Sequence, residues 1–162
     1  MFFRNRRNFH LIKRTIATTS RMPTSQASRA WWSLSTTVPA RAGLADEAIR
    51  LGRLLLRMFQ AEPEVMGLLA LMLLQHSRSE ARFDANGETV LLEDQDRSLW
   101  RDKLIHEGLA LIDKAMRHRK TGVYLVQAAI AALHARAAKP EETDWTQIDL
   151  LYGALEIMQP SP

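Results

Sequence analysis

Three observations predict an all-α fold of about five helices in antiparallel, tetratricopeptide-like hairpins, with one small β-hairpin insertion near residues 82–92. From residue 41 onward, apolar side chains recur at steps of three and four, the period of a helix with one buried face. The connections between these periodic segments are short, which favours antiparallel neighbours. An internal echo at a shift of 100 residues places Leu51, Leu55 and Met58 over Leu151, Leu155 and Met158. A helical repeat of about 34 residues returns near that shift after three periods.

The first helix is read from "RAGLADEAIRLGRLLLRMFQAEP", with Leu44, Ala48, Leu51, Leu54, Leu55, Met58 and Phe59 as its buried face. Asp46 and Glu47 are placed in its first turn, where the helix dipole favours negative charge, and Arg53 and Arg57 come later, where it favours positive charge. Pro63 starts the second helix, because its missing N–H costs nothing there. That helix, Pro63 to about Ser77, is apolar on nearly every side over Val65–Leu74 and is expected to be central. Ten apolar residues are too few to span a bilayer.

Asn86-Gly87 between "RFD" and "TVLL" predicts a tight hairpin that lies against the helices, since two short strands are marginal alone. The third helix, read as starting near Asp96, buries Leu99, Trp100, Leu104, Leu109, Leu111, Ile112 and Met116. It ends in Arg117, His118, Arg119 and Lys120 before Gly122. A fourth helix, Val123 to Ala138, is alanine-rich, so a neighbour can approach closely. The fifth runs from Asp144 to Gln159 with Asp144 as its cap. No polar capping helix follows it, so an apolar edge is expected to stay uncovered.

Composition divides the chain. Residues 1–40 are rich in Arg, Ser and Thr without a sustained period, and residues 41–162 form the helical domain, expected to be truncated at its C-terminus. Residues 1–45 hold eight Arg/Lys and no acid, whereas the remainder holds 14 basic residues against 18 acids. The basic segment reads as a disordered arm, a transit-type leader, or a non-native stretch from a frame or start error. Trp31 and Trp32 lie in it without a readable pattern. The body shows no basic face for nucleic acid, so no direct DNA binding is expected. The sequence has no cysteine, which excludes disulfides, thiolate zinc sites and cysteine nucleophiles.

Candidate chemistry centres on "VLLEDQDRSLW". Glu93, Asp94, Asp96 and Asp102 are interleaved there with Arg97 and Arg101. The structural reading is a helix entry: Asp94 or Asp96 caps, the arginines pair with nearby acids, and Trp100 begins the buried face, making Glu93, Asp94, Asp96, Arg97 and Trp100 a junction. The sharper reading is a cation site or a carboxylate-dependent enzyme. It requires three or more of Asp84, Glu88, Glu93, Asp94, Asp96 and Asp102 to converge in a water-excluded pocket. Asp84, Asn86 and Glu88 resemble a calcium loop only superficially, because Gly87 is misplaced and the distant Glu is absent. His10, His76, His106, His118 and His134 have no ligand spacing. No G-x-S-x-G serine and no phosphate-cradling glycine loop occurs. No catalytic, cofactor-binding or metal-binding residue is assigned, and the chain is read as not an enzyme. Tyr124, Tyr152, Trp100 and Trp145 are expected to pack between helices with polar atoms at an edge. An aromatic peptide groove is the alternative.

The phrases "ADEAIRLGRLL", "EPEVMGLLALMLLQHSR", "VLLEDQDRSLW", "QAAIAALHA" and "TDWTQIDLLYGAL" are similar to the C-terminal region of a group of bacterial extracytoplasmic-function RNA polymerase sigma factors. In that group, two sigma domains precede a helical extension ending in tetratricopeptide-like repeats. The resemblance covers about residues 41–162. Where the family has an "FNEGY"-type segment, this chain has "RAWWSLSTTVPARAG". The sigma domains have no counterpart in the first forty residues. The resemblance implies a cytoplasmic, non-catalytic regulatory module without cofactor. Its partners would be the sigma domains and RNA polymerase of the full-length protein, with no membrane. A stand-alone helical-repeat peptide-binding adaptor is the alternative binding reading.

Overall fold

The computed structural model describes residues 38–159, with side chains described from residue 43. Expectations for residues 1–37, including Trp31 and Trp32, lie outside the described residues. Among the described residues, five α-helices follow one another: α1 (Val38–Met58), α2 (Pro63–Ser77), α3 (Asp102–Met116), α4 (Val123–Arg136) and α5 (Trp145–Met158). Two single 3₁₀ turns, Arg97–Leu99 and Pro140–Glu142, precede α3 and α5. The fold is all-α, as the periodicity predicts. From Ala42 the chain forms one compact unit.

α2 is central because its sequence has no polar face. Met66, Ala70 and Leu74 join a core with Ile105, Ile112 and Ala115 of α3 and Leu125, Ala128 and Ala132 of α4. On its other side, Leu69 and Leu73 cluster with Ile49 of α1. Two glycines within helices allow close helix–helix approaches. A Cβ on Gly67 would lie 2.6 Å from the Leu125 amide nitrogen, so α2 and α4 touch backbone to backbone. A Cβ on Gly108 would lie 2.9 Å from Leu74 Cγ, which fixes the α2–α3 crossing. α5 packs on α4 and buries only Ile148 completely.

The structure corrects several local expectations. α1 begins at Val38, so Asp46 and Glu47 are not in its first turn. Its packed face is Ile49, Gly52 and Leu56, whereas Leu44, Leu51, Met58 and Phe59 are exposed. The sequence presents two adjoining apolar stripes, and the body covers the one with fewer large side chains. α3 starts at Asp102 rather than near Asp96, and Leu99 and Met116 lie outside the core. Among the described residues there is no strand. The expected hairpin is a turn with a single antiparallel bridge, Phe83 to Thr89. Asp84 explains the difference: its Oδ1 accepts from the amides of Asn86 (2.9 Å) and Glu88 (2.8 Å). Asp84 N donates to Glu88 O at 3.0 Å, which closes residues 85–87 as a three-residue loop with Gly87 at φ +80° as the left-handed residue. Gly122 does not end α3; Arg119 takes the left-handed conformation there, and Gly122 precedes α4.

Candidate functional site

The acidic stretch forms the end of the long connection between α2 and α3. All six acids named as a possible cluster are exposed: Asp84, Glu88, Glu93, Asp94, Asp96 and Asp102. Among the described residues, no group of three or more His, Asp or Glu side chains is placed to hold a metal ion. Asp96 caps the 3₁₀ turn, its Oδ1 accepting from Ser98 N at 2.9 Å. Hydrogen bonding to the Ser98 side chain, and then to its backbone amide, holds the Asp96 carboxyl below the usual range. Glu93 and Asp94 sit before this turn and enter no convergent arrangement.

The two arginines do not do what local charge suggests. Arg97 Nη1 donates to the carbonyl oxygens of His134 and Ala137, both at 2.6 Å, and so closes the C-terminal end of α4. Unpaired carbonyls there carry the negative end of the helix dipole, which a guanidinium complements. The same guanidinium lies 4.8 Å from the Trp100 ring centroid. Burial lowers the Arg97 pKa, and Glu141 and Glu142 oppose that effect. Arg101 fastens the two ends of the connection. Its amide donates to Ser77 O at 2.8 Å, and its Nη2 reaches His76 O at 3.0 Å and Ser79 Oγ at 2.7 Å. Glu80 is 3.9 Å away, too far for a hydrogen bond.

His76 is almost fully buried where α1 meets α2. Its Nε2 lies 2.9 Å from both Asp46 Oδ1 and Arg101 Nη2. A protonated Nε2 donates to Asp46, and a bare one accepts from Arg101, so one nitrogen serves two elements in alternation. His134 sits edge-on to Trp145 at 5.3 Å between centroids, which joins α4 to α5. Burial, with Arg78 and Arg97 nearby, pushes its pKa down to about 4. Burial also brings the Arg78 pKa down to about 10, and Arg82 adds to the effect. His106 Nδ1 meets Asp102 O within its own helix at 2.8 Å. These groups bond within helices and between neighbouring elements, an arrangement that supports packing and capping.

One capping residue was invisible to sequence reasoning. Glu64, in the first turn of α2, accepts from Tyr124 N and Leu125 N of α4, each at 3.1 Å. It thereby satisfies two unpaired amides about sixty residues away in the chain. Gly122 makes room, since a Cβ there would fall 2.2 Å from the Glu64 carboxyl carbon. The only local hint was a glycine immediately before an uncapped helix. Trp100 is buried with its Nε1 lacking a hydrogen-bond partner, against the expectation of an edge position, and Tyr124 and Tyr152 are exposed rather than packed between helices.

What remains open are surfaces. On α1, Leu44, Ala48, Leu51, Leu55 and Met58 follow steps of four and three, the spacing of a helix-pairing seam. Leu44 is 71% exposed and Met58 77%. On α5, Leu150 is 70% exposed and Ile157 83%. Between α1 and α3 a groove of about 460 Å³ has Leu56, Leu69 and Leu111 in its lining and arginines along its edge. No described helix is long and apolar enough to cross a membrane.

Comparisons with known proteins add context. The pattern described as "Family of unknown function (DUF6596)" matches residues 25–116. An uncharacterised protein of Rhizobium meliloti (strain 1021) is 73% identical over 121 residues, covering 75% of this chain and 29% of that relative. No solved structure matches.

Proposed function

Given that the chain belongs to the family of unknown function DUF6596 and spans only 29% of the length of the curated relative it matches, we propose that it is a non-catalytic interaction module of a larger protein. In this reading the larger protein is a sigma-70-type, extracytoplasmic-function transcription initiation factor, acting in the cytoplasm. The module docks against the sigma domains or RNA polymerase and tunes their activity. The observation that carries the proposal is the α1 seam. Of five apolar positions at helix-pairing spacing, Leu44, Leu51 and Met58 are exposed and Ala48 and Leu55 half-buried, on a helix whose opposite side is already packed. A surface of that kind on a folded unit marks a protein contact. The exposed acids are consistent with this reading.

Binding is tested by titrating the purified chain into core RNA polymerase and into the separately produced remainder of the Rhizobium meliloti relative. Saturable binding to one of them is expected, lost in Leu51→Glu/Met58→Glu with an unchanged helical circular dichroism spectrum. The chain with core polymerase alone gives no promoter-specific transcript. Such a transcript, or binding to neither component, overturns the proposal.

A further inference from the structure

The outermost helix and the groove at the opposite end of the helix order have complementary chemistry. α5 carries Asp149 and Glu156, both exposed, and no Lys or Arg between Trp145 and Met158. Leu150 and Ile157 are seven residues apart and therefore on one face, separated by about 10 Å along the axis. Each acid directly precedes one of them, so the acids form a parallel row beside the apolar pair. α5 thus presents an acidic amphipathic surface, and its partner α4 covers only the other side.

The groove between α1 and α3 has the converse character. Leu56 and Leu111 are half-buried in its lining. Arg50, Arg53, Arg57 and Lys114 stand around it against one acid, Glu107. Arg50 is engaged by Glu47 at 2.7 Å, and Arg53 by Glu107 at 2.7 Å. Arg57 and Lys114 are exposed and have no ion-pair partner among the described residues. The lining therefore offers unfilled apolar surface beside two uncommitted cations.

We propose that the α1–α3 groove of one copy receives α5 of a second copy, with Leu150 and Ile157 set on Leu56 and Leu111, and with Asp149 and Glu156 facing Arg57 and Lys114. The occupant is a second copy because this chain itself supplies the acidic amphipathic helix that the basic, apolar groove fits. The charges choose the partner, and the leucines and isoleucine supply the affinity. Donor and acceptor are different surfaces, so the contact is heterologous and propagates head to tail. This proposal is independent of the sigma-factor reading: it uses neither polymerase nor the α1 seam.

Sedimentation of the full chain over a range of concentrations tests it. The weight-average mass rises with concentration. Ile157→Glu, which removes the donor, and Arg57→Glu/Lys114→Glu, which removes the acceptor, each sediment as monomers at every concentration. All three substitutions are at exposed positions, and circular dichroism checks that each variant is folded. Mixing the two variants in equal amounts leaves one intact donor and one intact acceptor, and yields a 1:1 complex that grows no further. A monomeric wild type, association that survives in both variants, or a mixture that stays monomeric overturns the proposal. Association abolished instead by Leu51→Glu would assign self-contact to the α1 seam and overturn it equally.

Discussion

Replacing Arg97 by alanine probes whether a long-range cap, rather than a local ion pair, holds the α2–α3 connection to α4. The side chain contributes two charged hydrogen bonds at 2.6 Å to His134 O and Ala137 O. Bonds to charged groups are worth about 1.5–3 kcal/mol each in net terms. Complementing the helix dipole adds about 0.3–1 kcal/mol, and the contact with Trp100 about 0.5–1 kcal/mol. Against these stands desolvation of the guanidinium, visible in its lowered pKa and in an Nε with no partner. These terms are not additive, and burial takes back part of the gain, so Arg97→Ala is expected to lower stability by about 2–3 kcal/mol. Urea unfolding followed by circular dichroism, with the slope unchanged, reads the loss. Arg97→Lys retains the charge but loses the planar fork, and falls between. Glu93→Gln and Asp94→Asn should each stay within about 0.5 kcal/mol, as exposed surface changes do. If Asp94→Asn were as damaging as Arg97→Ala, or if Arg97→Ala cost under about 0.5 kcal/mol, the capping argument would be wrong.

Glu64→Ala frees the amides of Tyr124 and Leu125 and is expected to cost about 1–3 kcal/mol, with faster amide exchange confined at first to the start of α4. Gly67→Ala places a Cβ 2.6 Å from the Leu125 amide and must push α2 and α4 apart, lowering the urea midpoint by the equivalent of about 2–4 kcal/mol. Gly153→Ala meets nothing within 4 Å in an exposed helix and is expected to stabilise by about 0.5–1 kcal/mol in the same assay. His134 titrates near 6.5 when unfolded and at about 4 in the fold, so the unfolded chain holds the extra proton between those values. Stability is therefore complete above pH 6.5 and declines as pH falls toward 4. The full shift corresponds to about 3 kcal/mol, reduced to about 1–2 kcal/mol for a ring that stays partly in contact with solvent. His134→Gln should flatten that part of the profile of urea midpoint against pH.

Local chemistry was legible where one residue decides the outcome. Pro63 fixes the start of α2, and Asp144 caps α5 with its Oδ1 2.9 Å from Gln147 N. The unbroken apolar run made α2 central, because no face of it could be given to water. The misreadings share a cause. A helical period shows that α1 has apolar stripes but not which stripe meets the body, and Leu44, Leu51 and Met58 proved to be the free one. Arg97, Arg101 and Glu64 all bond to groups distant in sequence, whereas charge spacing ranks neighbours. The turn at Asn86-Gly87 differed because Asp84 competes for the backbone amides that a two-residue loop would leave to the strands. No sequence feature marked the groove, since it joins Leu56 and Leu111 from two helices.

The placement of these caps also separates two kinds of mutational effect. Glu64, Arg97 and Arg101 bind the inner elements together through groups that only the assembled fold brings near. Loss of any one leaves a helix end or a loop closure unsatisfied, so damage there appears as lost stability whatever the protein binds. The outer helices behave differently. Leu51, Met58, Leu150 and Ile157 rest largely in water, so polar replacements cost the fold little and remove apolar area from a partner surface. Each such side chain is worth about 1.5–3 kcal/mol when a partner buries it fully. A substitution that abolishes association while leaving the urea midpoint unmoved therefore reports on binding alone. Changes at these exposed positions of α1 and α5 meet that condition, and changes at the buried positions of α2 cannot.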